Sequence, residues 1–165
     1  MKLRVVLDTN VVLNAVKALS SLDDLRPVGR SPLPSEGQRL ESLLVLALAV
    51  FGCKVEPVAG PALLGEYRSH LRRLEGRCGS VPNLLKMLKD ECRVVEPRED
   101  FVRACQKAHP KNDPADAEHA AVCIQEGAKL VSLDVHFRGM AYELERRGMS
   151  LEVYDPYRFL LAVSR

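Results

Sequence analysis

Tryptophan is absent, and Phe, Trp and Tyr together make up only 5% of the 165 residues. That argues against recognition by successive bases stacked on aromatic platforms. The net charge is only +2, so bulk charge does not mark a binder of polyanions, and any basic surface must arise from local clustering. The five cysteines (Cys53, Cys78, Cys92, Cys105, Cys123) are odd in number and scattered, without a Cys-x-x-Cys pair. A disulfide framework and a zinc knuckle are therefore disfavoured, and a reducing cytosol fits better. Long apolar runs are missing too. The longest, Leu43 to Phe51, is roughly half of the ~18 residues that span a bilayer. The opening apolar run has the length of a strand, with no signal peptide before it. The expectation is a soluble, cytoplasmic protein, without membrane association, folded as a single domain over 1–165.

The sequence does contain an alternation of short apolar runs and helical patterns. Leu3–Leu7 and Leu130–Leu133 are continuous apolar stretches of strand length, each followed by a helical pattern, as in buried parallel strands. Lys54–Val58, Arg93–Glu96 and Leu151–Val153 read as further extended segments. Helices are expected over 11–19, 36–51, 61–77, 81–91, 98–108, 113–127 and 137–147, with a final short helix. Gly52 is placed to end the second of these and Pro61 to begin the third. Ser20 to Gly37, rich in proline, glycine and serine, reads as a long loop or flap within the domain. Strands alternating with helices predict an α/β fold, a three-layer α/β/α sandwich around a mainly parallel sheet. There is no internal repeat and no low-complexity tract.

Two of the apolar runs end in an acid. Asp8 follows Leu7 and Asp134 follows Leu133, and in an open α/β sheet ligands bind outside the carboxyl ends of the strands. Glu66 and Asp116 enter on helices nearby. Each helical acid has a plain explanation when taken singly. Asp113 before Pro114 is a good N-cap, which puts Asp116 where the helix dipole favours a carboxylate, and Glu66 is an ordinary helix residue. Together, four carboxylates at one pole repel one another unless a cation neutralises them. Hard divalent ions such as Mg²⁺ take oxygen ligands and suit that role.

Val6-Leu7-Asp8-Thr9-Asn10-Val11, Leu64-Gly65-Glu66-Tyr67-Arg68, Asp113-Pro114-Ala115-Asp116 and Leu130-Val131-Ser132-Leu133-Asp134 resemble, in this order, the signature of PIN-domain ribonucleases. The nearest subgroup is the bacterial PIN proteins proposed as toxins of toxin–antitoxin pairs. The resemblance spans nearly the whole chain. It implies a PIN-like fold and a ribonuclease using Mg²⁺ or Mn²⁺, with Asp8, Glu66, Asp116 and Asp134 as metal-binding and catalytic acids. Asn10, Asp113 and Ser132 take supporting positions. The sequence departs from the family pattern at His136, where many relatives carry another acid, and in the long stretch from Ser20 to Gly37.

One or two divalent ions held by such acids activate a water, bind the scissile phosphate and stabilise the leaving oxygen. His119, one turn after Asp116, is either a proton shuttle at that pole or a partly buried helix residue. Arg68, Arg72 and Arg138 are candidate RNA contacts, since guanidinium groups match phosphate geometry; a solvated helix face is the plainer account of each. An antitoxin and a second copy of the chain are candidate partners for the sparsely charged Leu40–Phe51 helix, which otherwise reads as a buried core helix. Two other classes fit less well. An aspartyl-phosphate phosphatase calls for Asp-x-Asp-x-Thr, but Asn10 and Val12 stand at the second and third of those positions. A receiver-type signalling domain lacks its early acidic pair. The remaining rival is a PIN-like module of impaired activity that binds nucleic acid or protein.

Overall fold

The computed structural model describes residues 2–23, 34–52, 54–74 and 81–164. In chain order these form β1 (Leu3–Leu7), α1 (Thr9–Asp23), α2 (Pro34–Phe51), β2 (Val55–Ala59), α3 (Pro61–Leu74), α4 (Val81–Glu91), β3 (Arg93–Val94), α5 (Glu99–Ala108), α6 (Pro114–Glu126), β4 (Lys129–Val131), α7 (His136–Glu145), β5 (Val153–Tyr154) and α8 (Pro156–Val163). All strand pairings are parallel, in the order β3-β2-β1-β4-β5. Leu3 lies opposite Val55 on one side of β1, and Leu7 lies opposite Val131 on the other. The chain winds outward from β1 to β3, then crosses back to β4. The switch in direction therefore falls between β1 and β4, where open α/β sheets leave a crevice.

The expected three-layer α/β sandwich is thus present, and the reason is visible in the burial. Val5, Val6, Leu7, Leu130 and Val131 are each at most 1% exposed; strands covered on both faces need continuous apolar sequence. α1 packs on α2 and α2 on α8, while α5 packs on α6 and α7. Among the described residues no helix is long and apolar enough to cross a membrane. Toward the amino ends of the strands, Arg4, Glu56, Arg93 and Glu126 form a closed network. Arg4 lies 3.4 Å from Glu56 and 3.2 Å from Glu126, and Arg93 contacts the same two acids.

Several boundaries differ from the sequence expectation. α1 continues to Asp23 and α2 begins at Pro34, so both ends of the anticipated 20–37 flap are helical; residues 24–33 lie outside the described residues. β4 stops at Val131, although the Ser132 N–H still reaches the Tyr154 carbonyl at 2.9 Å. The α2 helix is neither wholly buried nor wholly exposed. Val45, Leu46 and Ala49 are in the core, whereas Leu40, Leu44 and Phe51 face outward at 44%, 56% and 63% exposure.

One contact between helices bears on the site. The Glu118 side chain of α6 accepts a hydrogen bond from the Ala62 N–H in the first turn of α3, at 2.7 Å. It satisfies one of the orphan donors of that turn and ties together the helices that carry Glu66 and Asp116. Gly60 makes room for it: a Cβ there would stand 2.5 Å from Glu118 Oε1 and 3.2 Å from Val122 Cγ2. Gly60→Ala is therefore expected to displace Glu118 and cost about 1–2 kcal/mol, the usual worth of a lost cap. Urea unfolding measures it, and an unchanged midpoint would show that α3 does not need this cap.

Candidate active site

Asp8 is the first residue past β1, and the residue is only 6% exposed. Its N–H donates to the Val131 carbonyl at 3.0 Å, which locks the strand end against β4. Ser132, just past β4, donates its hydroxyl to Asp8 Oδ2. Asn10 completes this corner. Its Nδ2 donates to Ser132 Oγ at 3.3 Å, and its Oδ1 accepts the Leu133 N–H at 3.2 Å. The Asp134 N–H in turn donates to Ser132 Oγ at 2.9 Å. A short polar chain therefore sets the turn that carries Asp134 relative to Asp8.

Glu66 reaches the same pole from α3. The Thr9 hydroxyl donates to Glu66 Oε2, and the buried Tyr67 hydroxyl donates to the Leu7 carbonyl. Adjacent residues of α3 are thus pinned to the last residue of β1 and the first of α1, on either side of Asp8. Asp116 arrives in the first turn of α6, where Asp113 Oδ1 accepts the Ala115 and Asp116 N–H groups at 2.9 and 3.3 Å. Asp113 is accordingly a capping residue, and Pro114 occupies the first helical position.

Burial pushes the Asp8 carboxyl up to about 6, and the charges of Asp116 and Glu66 push the same way against the Ser132 hydrogen bond. Burial also raises Glu66 and Asp116. Asp116 adds to the shift of Glu66, and Asp113 and Asp134 add to that of Asp116. The four acids therefore share one electrostatic field. Among the described residues no Lys or Arg forms an ion pair with any of them; histidine rings lie beside Glu66, Asp116 and Asp134 instead. Among those residues, too, no three His, Cys, Asp or Glu side chains are gathered tightly enough to close on a metal ion as they stand. The donor set itself fits a hard divalent cation: oxygen ligands, like charge, and no internal counter-charge.

Three histidines surround these acids. His136 lies with Nδ1 2.6 Å from Asp134 Oδ1, and its N–H donates to the same oxygen at 2.8 Å, while Oδ2 of Asp134 meets no partner among the described residues. His109 Nε2 is 3.0 Å from Asp116 Oδ2. His119 was expected to be a partly buried helix residue or a shuttle facing this pole. It faces the pole and is fully buried, 3.7 Å from Glu66 and 4.0 Å from Asp116, with neither ring nitrogen hydrogen-bonded. Burial lowers it to about 4, so the ring is neutral at pH 7. Thr9, Tyr67 and His109 are not among the candidates read from the sequence, because the contacts that bring them to these acids and to β1 form only in the folded chain.

The basic residues divide. Arg68 and Arg72 are exposed on the helix that carries Glu66. Arg138 is engaged with Asp155 at 3.3 Å.

A buried acid thus stands at the carboxyl edge of a parallel sheet, at the switch point, with Glu66, Asp116 and Asp134 entering on neighbouring elements. The family model described as "PIN domain" matches residues 4–136, and the chain belongs to the PIN domain family. PIN domains are generally nucleases and generally use divalent metal ions. No curated protein matches the sequence. Three solved structures share the fold. The crystal structure of VapBC2 from Rickettsia felis bound to a DNA fragment from their promoter is 12% identical with a TM-score of 0.56, over 93% of this chain and 98% of that one. FitAcB from Neisseria gonorrhoeae is 18% identical with a TM-score of 0.51, over 93% and 98%. PAE2754 from Pyrobaculum aerophilum is 15% identical with a TM-score of 0.52, over 99% and 98%.

The raised Asp8 carboxyl has a consequence for stability. Below pH 3.8 it is protonated in both folded and unfolded chains and costs nothing. Between about 4 and 6 the folded state keeps a proton that the unfolded state has released, so stability falls as pH rises. Above about 6 the loss is complete, at about 3 kcal/mol for roughly 1.4 kcal/mol per pH unit. Glu66 and Asp116 shift the same way and add to the slope. Metal-free protein should therefore lose stability from pH 4 to 6.5, and Asp8→Asn should flatten most of that fall. Parallel slopes for the two proteins in urea titrations across this range would show that Asp8 is not the destabilising acid.

Proposed function

We propose that this PIN domain hydrolyses RNA phosphodiester bonds with Mg²⁺ or Mn²⁺ held by Asp8, Glu66, Asp116 and Asp134. The observation that carries this reading is Asp8 itself, a desolvated carboxylate crowded by Glu66 and Asp116 with no Lys or Arg ion pair among the described residues. Such an arrangement is costly for stability alone and is suited to receiving a cation. A divalent ion bound there supplies charge for activating a water and for stabilising the departing oxygen of an in-line displacement.

The chain's own residues supply orientation. Ser132 and Asn10 hold Asp8 and the Asp134 turn in register, and Thr9 turns Glu66 toward them. With one oxygen of Asp134 fixed by His136, the other remains for ligation. No nucleophilic side chain is called upon. Arg68 and Arg72, exposed on the helix that carries Glu66, are the proposed contacts to the phosphate backbone, with Arg138 joining them if it leaves Asp155. With few aromatic residues, recognition rests on backbone and shape more than on stacked bases.

The fold shared with the VapBC2 and FitAcB structures supports a toxin role with an antitoxin protein as partner in the cytoplasm. The outward apolar stripe of Leu40, Leu44 and Phe51 on α2, with Tyr157 and Leu161 on the adjoining α8, is the proposed contact; a second copy of the chain is the other candidate for it. A binding module of impaired activity is favoured only by His136, whose ring occupies one oxygen of Asp134.

Mixed RNA incubated with the protein and Mn²⁺ should be cleaved, and Asp8→Asn should reduce cleavage to background while remaining folded, since asparagine is nearly isosteric. Mn²⁺ at a hundred times its Kd should stabilise the wild type by about 2.7 kcal/mol, and Asp8→Asn should blunt the gain. Undiminished cleavage by Asp8→Asn, or a melting curve indifferent to Mn²⁺, would defeat the assignment. Metal binding without cleavage would favour the impaired module.

A further inference from the structure

The five residues between α5 and α6, His109-Pro110-Lys111-Asn112-Asp113, fold around the ring of the first of them. The His109 side chain is only 1% exposed. Its carbonyl accepts the Asn112 N–H at 3.1 Å, and Asn112 adopts a left-handed backbone with φ 55°, a conformation asparagine tolerates better than most residues. The turn thereby brings two N–H groups onto the imidazole. Lys111 donates to Nδ1 at 3.0 Å and Asp113 donates to the same atom at 3.2 Å. A nitrogen that accepts N–H groups carries no proton, so the ring proton sits on Nε2. That nitrogen is 3.0 Å from Asp116 Oδ2 and is the donor of the bond between them.

We propose that His109 is a positioning residue that presents Asp116 for metal binding, through a tautomer fixed by the backbone of its own turn. The inference deepens the reading of the acids as a metal site and rests on it. With Oδ2 held by Nε2–H, the carboxylate cannot rotate freely, and its other oxygen, Oδ1, is directed toward the side where His119 and Glu66 stand. The arrangement matches the way a hydrogen-bonded neighbour orients a metal ligand, a role whose loss typically weakens metal affinity by about 10–100-fold. His109 has two separable tasks. Nδ1 closes the turn, and Nε2 aims the acid.

The two tasks predict opposite behaviour for two substitutions. In His109→Asn the amide oxygen falls near the place of Nδ1 and can accept the Lys111 and Asp113 N–H groups, but the side chain is too short to reach Asp116. In His109→Gln the amide nitrogen reaches the place of Nε2 and can donate to Asp116, but nothing replaces Nδ1. The measurements are Mn²⁺ affinity by calorimetry and the melting temperature of metal-free protein. His109→Asn is expected to melt near the wild type and bind Mn²⁺ about 10–100-fold more weakly. His109→Gln is expected to melt lower and bind Mn²⁺ within a few-fold of the wild type. Wild-type Mn²⁺ affinity in His109→Asn overturns the proposal. So does equal weakening in both variants together with equal loss of melting temperature, the mark of a merely structural histidine. A wild type that binds no Mn²⁺ overturns the metal reading and this inference with it, whereas Asp116→Asn losing Mn²⁺ while His109→Asn keeps it overturns this inference alone.

Discussion

The Asp8 carboxylate sits at the end of the central strand, removed from water and beside two other acids, and the organisation of this pole follows from that placement. A buried carboxylate must be protonated, hydrogen-bonded or neutralised. Here the Ser132 hydroxyl supplies one hydrogen bond, and no Lys or Arg among the described residues supplies charge. Each neighbouring element is tied in so that its acid stays close despite the repulsion: α3 through Thr9 and Tyr67, the β4 turn through Asn10 and Ser132, and α6 through the bond of its Glu118 to the Ala62 N–H of α3 and through His109. The polar groups that anchor the acids contribute less by their individual energies than by holding like charges at fixed places.

The opposite edge of the sheet handles charge differently. There Arg4, Glu56, Arg93 and Glu126 alternate in sign and satisfy one another across three strands and the end of α6. Part-exposed pairs of this kind contribute modestly to stability. Their interest is the contrast. The same small domain balances its charges at this edge and leaves them unbalanced where the strand order reverses. An electrostatic strain confined to one pole, and absent at the other, is the pattern expected when stability is given up locally for function.

Much of the architecture is legible in one dimension. Continuous apolar runs at Leu3–Leu7 and Leu130–Leu133 announce strands buried on both faces, because a parallel sheet with helices above and below offers no solvated face. Asp113-Pro114 and Gly127 bracket α6 within a residue, since capping depends on groups two or three positions apart. Boundaries drift where local signals conflict: proline and serine near residues 20–37 suggest a loop, yet α1 and α2 extend into that interval. The four acids are legible too, two from their strand ends and two from the family pattern, although no single one is persuasive alone.

The sequence by itself determined the alternation of elements, the caps of α6 and the candidate acids, because those depend on neighbours within a turn of helix or a strand. Only the tertiary structure decided which acid each of Ser132 and His119, both singled out in the sequence, would meet, and it alone brought in Thr9 and His109. Thr9 meets Glu66 across 57 positions of sequence, Ser132 meets Asp8 across 124, and His119 is wedged between acids of two helices. His109 lies only seven residues from Asp116, yet its tautomer depends on a turn whose left-handed Asn112 no periodicity reveals. Hydrogen bonds of this kind are short-ranged and directional, so they exist only once the sheet order and helix packing have brought the partners within reach. The sequence names the groups, and the geometry that gives them a common field is a property of the folded chain.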